Sequence, residues 1–502
     1  MMLRRLLIAN RGEIAIRIVH ACRELGIESV AVYSDADVRA RHVAAADIAV
    51  RIGPAPAAES YLSIPRILEA IRATGADAVH PGYGFLSENA AFAARCEESG
   101  ITFVGAPASV IARMGSKIEA RRLMQSTGVP IVPGDTPADQ SDDGIRKTID
   151  RVGLPALVKA SAGGGGMGMR HVESPAEIVA AVQAARREAA AAFGDSTLYV
   201  ERVIPHARHI EVQIFADGRG GVVHLFEREC SIQRRHQKVI EESPSPAVSP
   251  ALRQQITEAA VRAAKSCGYR NAGTIEFLVE HSSSGSGRFY FLEMNTRLQV
   301  EHPVTEQVTG VDLVRAQLLV AGGEPMPWSA SALTARGHAI EARVYAEDPQ
   351  HRFLPQAGPL LLYREPQVPG VRIDSGVGEG DEVTVHYDPL LAKVIASGET
   401  REEAVARLHY ALGHYAILGI RTNIPFLIRL LEHPRVRDGD LDTTFLDREA
   451  DGMIHEMDDE EMPGFIQAAV AAYDNDDSDV QGAKGPSHHI HDPWRTLREW
   501  RA

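Results

Sequence analysis

The chain has 502 residues, with 67 acidic and 53 basic side chains and a formal net charge of −14. Hydrophobic residues at 44% and charged residues at 24% are ordinary for a globular protein and exclude a disordered chain. The acidic balance argues against nucleic-acid and membrane-surface binding, and no apolar run approaches the ~18 residues that a membrane helix needs.

The start of the chain, Met1-Met2-Leu3-Arg4-Arg5, runs directly into a strand pattern and predicts no secretory leader. Arg4–Ala9 reads as a short strand, Glu13–Leu25 as an amphipathic helix and Ser29–Tyr33 as a second strand. A weaker helix over Ile64–Thr74 leads to a strand at Ala78–His80, which ends in Pro81-Gly82-Tyr83-Gly84. Alternation of this kind implies a mostly parallel sheet with helices on its faces. The first turn, Asn10-Arg11-Gly12-Glu13, lacks the G-x-G-x-x-G spacing of a dinucleotide site.

After a helix at Ser116–Ser126, the Pro-, Asp- and Gly-rich stretch Val129–Ile149 reads as a boundary. From Leu154 the pattern becomes strands joined by glycine turns: Ala156–Ala160, His171–Glu173, Tyr199–Val203, Ile210–Ala216 and Val222–Glu227. A helix at Pro250–Cys267 precedes a hairpin of Thr274–Leu278 and Phe289–Asn295. A third block has strands near His338–Tyr345, Leu360–Tyr363 and Leu391–Ser397 and a helix near Arg401–Ala416.

The charge is uneven along this order: residues 449–502 carry −9 and residues 1–448 only −5. The acidic tail, nearly all charge over Asp474–Asp479, is predicted to be partly disordered. Cys22, Cys96, Cys230 and Cys267 lie far apart with no Cys-x-x-Cys pair, which argues against zinc and for reduced thiols in the cytoplasm. The basic residues divide into 46 Arg and only 7 Lys, so each ammonium is worth placing.

Three stretches carry chemistry. Ser161-Ala162-Gly163-Gly164-Gly165-Gly166-Met167-Gly168-Met169 lacks the Gly-Lys-Ser/Thr ending of a Walker loop and has strand patterns on both sides. It reads as a hairpin loop whose bare N–H groups can fold over phosphates, with Lys159 beside it; the alternative is a plain connector.

On the second hairpin, Glu293 and Asn295 share a strand face, and Glu276 can oppose them. Acids in strands this apolar call for a cation, and hard oxygens favour Mg²⁺; a water-exposed sheet face is the alternative. An extended chain would continue that face through Arg297, Gln299 and Glu301. A catalytic reading makes Arg297 an oxyanion clamp, Gln299 a hydrogen-bond donor and Glu301 a general base, although a plain amphipathic edge strand alternates in the same way. The third stretch, Gln233-Arg234-Arg235-His236-Gln237-Lys238, offers cationic charge to such a site.

With these residues in view, the chain resembles the biotin carboxylases of the ATP-grasp superfamily from about Arg4 to Asp447. The resemblance rests on LLIANRGEIAIRI (6–18), HPGYGFLSEN (80–89), GSK (115–117), VKASAGGGGMGM (158–169), RHIEVQIFAD (208–217), ECSIQRRHQK (229–238), EMNTRLQVEH (293–302) and EARVYAEDP (341–349). It implies a fold of mixed α/β and α+β class in four segments. These are an N-terminal Rossmann-like parallel-sheet domain (1–114), an ATP-grasp domain (115–335) with a mobile glycine-rich lid (131–204), a C-terminal biotin carboxylase domain (336–447) and the tail 448–502.

By the same resemblance Lys117 and Lys159 bind ATP phosphates, with Gly163, Gly164, Gly165, Gly166 and Gly168 as the lid. Glu201, Arg202, Val203 and Ile204 form the adenine hinge, and His209, Gln233, His236, Glu276 and Leu278 meet the nucleotide. The hinge departs from the family, which often has Lys and an aromatic in its middle. Glu276, Glu293 and Asn295 hold Mg²⁺ or Mn²⁺, with two ions expected. Lys238, Arg297, Gln299 and Val300 bind bicarbonate, Glu301 deprotonates it, and Tyr83, Gln299 and Arg343 face biotin.

The implied reaction runs through carboxyphosphate to carboxybiotin. No lysine follows a methionine, so the Met-Lys-Met attachment site is not in this sequence. Biotin is therefore expected on a separate carrier protein, with a separate carboxyltransferase and a homodimeric carboxylase. The expected setting is an acyl-CoA carboxylase for acetyl-CoA or propionyl-CoA. The alternatives are the biotin-carboxylating component of a split pyruvate carboxylase, a biotin-independent ATP-grasp ligase and a non-catalytic scaffold.

Overall fold

The computed structural model describes residues 3–161, 168–280 and 287–454. Five parallel strands form the first sheet, in the order Ile48–Gly53, Glu28–Ser34, Arg5–Ile8, Ala78–His80 and Thr102–Phe103. Their side chains alternate between two apolar layers, because successive strand residues face opposite ways. Leu7, Val30 and Val32 pack with Ile67, Leu68 and Ile71 of the helix Ile64–Thr74. Leu6 and Ile8 pack with Ile14, Ile18 and Val19 of the helix Gly12–Leu25. Both faces are covered, as a parallel sheet requires.

A four-stranded antiparallel sheet follows, in the order Gly134–Asp135, Leu198–Arg202, Ala156–Ala160 and Met169–Val172. Helices Asp142–Val152 and Ile178–Phe193 close one face over Val158, Val172 and Val200. The stretch 129–149, expected to be a boundary, therefore holds a strand and the start of a helix. Ser141 caps that helix by accepting from the Gly144 N–H at 3.1 Å, and Ile145 and Ile149 are its buried stripe. The Pro and Asp residues of the stretch punctuate these elements.

The third sheet has eight strands: Phe289–Asn295, Asn271–Val279, Arg208–Ala216, Val222–Arg234, Gln237–Ser243, His338–Tyr345, Leu390–Gly398 and Val371–Ser375. Pairing of Glu241 with Glu341 and of Ile240 with Ala342 makes it continuous from the central to the C-terminal part of the chain. One face is apolar: Ile210, Val212 and Ile214 lie under the helix Pro250–Cys267, and Ile340, Ala342 and Val394 under Arg401–Gly413. Alternation sends the intervening residues to the opposite face, where charged side chains stand among apolar ones such as Phe215 and Ile395. Glu211, Glu241, Glu341, Arg343 and Lys393 lie there, buried, where the helix His302–Thr309 packs across the strands. The last described helix, Phe445–Met453, runs past residue 447; the expected disorder of the tail concerns residues that, from 455 on, lie outside those described.

Candidate active site

The hairpin register puts Glu276 opposite Glu293 and Thr274 opposite Asn295, as the strand alternation predicted. Glu276 is buried and crowded by donors: Asn295 Nδ2 at 2.8 Å, Lys238 Nζ at 3.0 Å and His209 Nε2 at 2.9 Å. Burial pushes its carboxyl up, but the Lys238 and His209 charges overcome this and hold it well below the usual carboxylate range. Glu293 moves the other way, raised by burial and then by the negative charge of Glu276. Among the described residues no hydrogen bond reaches its carboxylate. Two acids that repel each other supply hard oxygens that suit Mg²⁺, while Asn295 turns its Nδ2 to Glu276 and its oxygen to Arg297.

The strand does not continue to Glu301. It stops at Asn295, and Glu301 caps the helix His302–Thr309 with φ −83° and ψ 11°. The single extended face expected through Arg297, Gln299 and Glu301 is thus replaced by a turn. Pro303 at the start of the helix favours that helix and not a strand. The turn still delivers the residues. Glu301 Oε1 lies 2.6 Å from Lys238 Nζ, and its Oε2 lies 2.8 Å from an Arg343 nitrogen. Burial raises the Glu301 carboxyl, but Lys238, Arg343 and Arg228 outweigh it and hold it well below its ordinary value.

Lys238 also meets Glu211 at 2.5 Å, and Arg343 Nε meets Glu241 at 2.6 Å. Burial works to lower the Lys238 ammonium, but Glu211, Glu276 and Glu301 together push it well above its ordinary value. Arg297 bonds Glu88 at 2.8 Å, the Leu298 carbonyl oxygen at 3.1 Å and Gln299 Oε1 at 3.0 Å. Gln299 is 4% exposed, and its Nε2 finds no acceptor among the described residues, so it has a donor free for an incoming anion. Val300 offers its carbonyl oxygen to Lys393 at 2.9 Å.

Of the residues expected to meet the nucleotide, Lys159, Glu201 and Arg202 lie on the four-stranded sheet. Lys159 Nζ lies 2.6 Å from Glu201, which also accepts from Arg121. The Lys117 ammonium is lowered by burial, an effect that Glu293 opposes and the nearby Lys159 charge reinforces. The two ammonium groups thus lie in one another's field. Ile204 and Leu278 share a small apolar cluster with Val132, Ala207 and Tyr290. Arg202 bonds Glu280 at 3.5 Å, and the Val203 N–H donates to the Pro155 carbonyl oxygen. Gln233 pairs with Lys238 across a turn whose tip, Arg235 and His236, has φ +50° and +66°. Gly168 closes the hairpin against Ala160, whereas Gly163, Gly164, Gly165 and Gly166 lie outside the described residues.

Tyr83 donates its hydroxyl to Glu13 and lies in the field of Arg343. Its turn depends on Gly82, at φ +63°, where a Cβ would stand 2.7 Å from Asn10 Nδ2. That nitrogen holds the Pro81 and Tyr83 carbonyl oxygens, both at 2.7 Å. Sequence reasoning missed Glu88, Glu211, Glu241, Glu13 and Lys393. The first, second and fourth stand inside quoted motifs, and Lys393 is one of seven lysines. Glu241 gave no signal without the strand order.

Comparison with known proteins fits this geometry. Residues 2–111 match the family model of the biotin carboxylase N-terminal domain. Residues 116–328 match the carbamoyl-phosphate synthase L chain ATP-binding domain, and residues 341–448 the biotin carboxylase C-terminal domain. The alpha subunit of methylcrotonoyl-CoA carboxylase from Glycine max is 52% identical over 88% of this chain, which spans 60% of that relative's length. Biotin carboxylase 2 of Bacillus subtilis is 51% identical over 89% of this chain and 99% of its own. The biotin carboxylase domain dimer of Hydrogenobacter thermophilus 2-oxoglutarate carboxylase, in complex with MgADP, ADP and bicarbonate, superposes with a TM-score of 0.87. It is 42% identical and covers 91% of this chain and 100% of its own. With two facing carboxylates, a buried Lys238–Glu301–Arg343 chain and matches along its length, this chain belongs to the biotin carboxylase family of ATP-grasp ligases.

Proposed function

We propose that the chain uses ATP and bicarbonate to carboxylate biotin held on a separate carrier protein, the first half-reaction of an acyl-CoA carboxylase. The observation that carries this reading is the Glu301 carboxylate between Lys238 and Arg343, with the unpartnered Nε2 of Gln299 in the turn that leads to it. Two cations on one base, with a free neutral donor in the same turn, suit a small, planar, acidic anion.

Bicarbonate would enter among Arg297, Gln299, the Val300 backbone and Lys238, taking a share of the cations now neutralised by Glu301. Freed from part of that field, Glu301 gains basicity and takes the bicarbonate proton. The bicarbonate oxygen then attacks the γ-phosphorus, the bond to the ADP oxygen breaks, and carboxyphosphate forms. Lys117 and Lys159 would hold the phosphates, with the glycine hairpin over them and Ile204 and Leu278 against the base. His209, Gln233 and His236 stand on the nucleotide side. Arg343 would meet the negative charge that develops on the biotin ureido oxygen, and Tyr83 would flank the ring.

Glu276, Glu293 and Asn295 would hold Mg²⁺ or Mn²⁺, whose chemistry is to neutralise phosphate charge. The division at residues 114, 335 and 447 belongs to the same proposal, as do a homodimer, a separate carboxyltransferase and a cytoplasmic setting. Four buried free cysteines support that setting, and among the described residues no helix is long and apolar enough to cross a membrane. The test is ADP release that requires bicarbonate and rises with free biotin, followed by identification of the co-purifying biotinylated protein and its acyl acceptor. Release that needs a different acceptor would overturn the biotin reading.

A further inference from the structure

Lys393 lies in the strand Leu390–Gly398 and has no exposed surface. Taking an ammonium out of water is costly unless charges and acceptors replace its hydration. The replacements come from three parts of the chain. Nζ donates to the Val300 carbonyl oxygen at 2.9 Å, and lies 3.2 Å from Glu13 Oε1 and 3.6 Å from Asp374 Oδ2. Asp374 is the cross-strand neighbour of Lys393 and would suffice to neutralise it, yet it is the farthest of the three. The shortest bond goes to a main-chain oxygen in the turn that carries Glu301.

Each partner leads back to the site. Val300 immediately precedes Glu301. Glu13, in the first turn of the helix Gly12–Leu25, accepts the Tyr83 hydroxyl. Asp374 is gripped by Arg372 at 2.7 and 2.8 Å, and Arg372 reaches Glu306, in the helix that Glu301 begins, at 2.7 Å. Lys393 also stands directly opposite Arg343 in the strand register. One ammonium thus joins the backbone before the base to the carboxylate behind the tyrosine. A tetrahedral ammonium aims three donors out of one plane from a single nitrogen, whereas the five N–H groups of a guanidinium are confined to its plane.

We propose that Lys393 is a positioning residue for the carboxylation reaction: through the Val300 carbonyl it sets the turn that presents Glu301, and through Glu13 it sets the Tyr83 hydroxyl. It touches neither nucleotide nor bicarbonate. The spacing between the bicarbonate side and the biotin side of the site is then fixed by this one buried joint. The proposal rests on the biotin carboxylase reading above.

The experiment measures steady-state ADP release by the purified full chain, with ATP, bicarbonate and free biotin varied in turn, and the melting temperature of each variant. In Lys393→Arg the charge stays but the three-way geometry is lost. Expected is a fall of about tenfold or more in kcat and a severalfold rise in the KM for biotin, with the KM for ATP within about twofold of wild type. Lys393→Met should behave alike, so retained charge does not rescue. Glu13→Gln, which leaves Lys393 in place, should raise the KM for biotin severalfold, and it decides the matter if neither Lys393 variant folds. Unchanged kcat and biotin KM in the variants that fold overturn the proposal. So does a uniform loss in which the ATP KM and the melting temperature shift together with kcat, since that is a structural role. Wild-type protein without biotin-stimulated release fails the carboxylase reading itself, before any variant is compared.

Discussion

Glu301 Oε1 lies 2.6 Å from Lys238 Nζ, so the group assigned as base is already neutralised by the cation assigned to its substrate. With Arg343 on its other oxygen, Glu301 is held well below the ordinary carboxylate range, despite a burial that would raise it. A base so depressed is weak on its own. It becomes stronger only when an anion draws the Lys238 and Arg343 charges toward itself. In the proposed reaction substrate binding and activation of the base are then one event, and proton removal awaits a bound anion.

Glu301→Gln keeps the shape of the turn and removes the proton acceptor. Bicarbonate-dependent ADP release should fall by about 10²–10⁴-fold, the usual contribution of a positioned base, with little change in the KM for ATP. Steady-state assays with and without biotin check this. A variant that keeps its biotin-stimulated rate shows that another group takes the proton.

Glu276→Gln and Glu293→Gln should each weaken the Mg²⁺ dependence of nucleotide binding by about tenfold or more, since each removes half of a facing carboxylate pair. Titration of Mg²⁺ into enzyme with a fluorescent ATP analogue reads this without turnover. If both variants bind nucleotide at the wild-type Mg²⁺ concentration, the cation is held elsewhere.

Much of this site was legible from the sequence, for reasons that differ by residue. Glu276 and Glu293 were found because strand alternation and one hairpin suffice to bring them together. Glu301 was found for a partly wrong reason: its spacing suggested one extended face, whereas a turn and a helix cap deliver it. Nothing in strand periodicity shows where a strand ends when polar and apolar residues go on alternating; Pro303 was the local signal. Glu211, Glu241 and Lys393 lie on three strands far apart in sequence, and only the strand order puts them on one face. Ile64–Thr74, Ala78–His80 and Pro250–Cys267 matched residue for residue because a Gly turn, a Pro or a Ser cap marks an end of each.

Arg228 shows how costly the hidden half of this network is. Its guanidinium has no exposed surface and bonds Glu211 at 2.5 Å, Gln213 at 2.7 Å, Thr305 at 2.9 Å and Thr274 at 3.1 Å. Arg228→Met leaves Glu211 with Lys238 as its remaining cation and should cost about 3–5 kcal/mol of stability. Denaturant unfolding followed by tryptophan fluorescence measures it. A loss under about 1 kcal/mol means that the surrounding polar groups repair the site.

Glu341 gives the fold a pH dependence of opposite sign to that of Glu301. It is fully buried, and neither carboxylate oxygen finds a partner among the described residues. Burial raises its carboxyl well above the ordinary 4.5, Lys393 opposes this, and Glu241, Arg343 and Glu301 complete its surroundings. Its register partner Glu241 is pushed up to about 7 by burial, an effect that Arg343 opposes and Glu301 adds to. For both acids the folded state binds protons more tightly than the unfolded chain. Their contribution to stability is therefore fully present below pH 4.5 and is lost as pH rises, through about 7 for Glu241 and beyond its raised value for Glu341. Glu341→Gln copies the neutral acid in shape and cannot ionise. Its melting temperature should match wild type near pH 5 and exceed it at pH 8 by on the order of 2 °C or more. Subtracting wild type from variant at each pH removes the opposite trend of Glu276 and Glu301, whose depressed values make them favour higher pH. Calorimetry across this range decides: an equal loss at both ends would mean that Glu341 is ionised and paired in the folded protein.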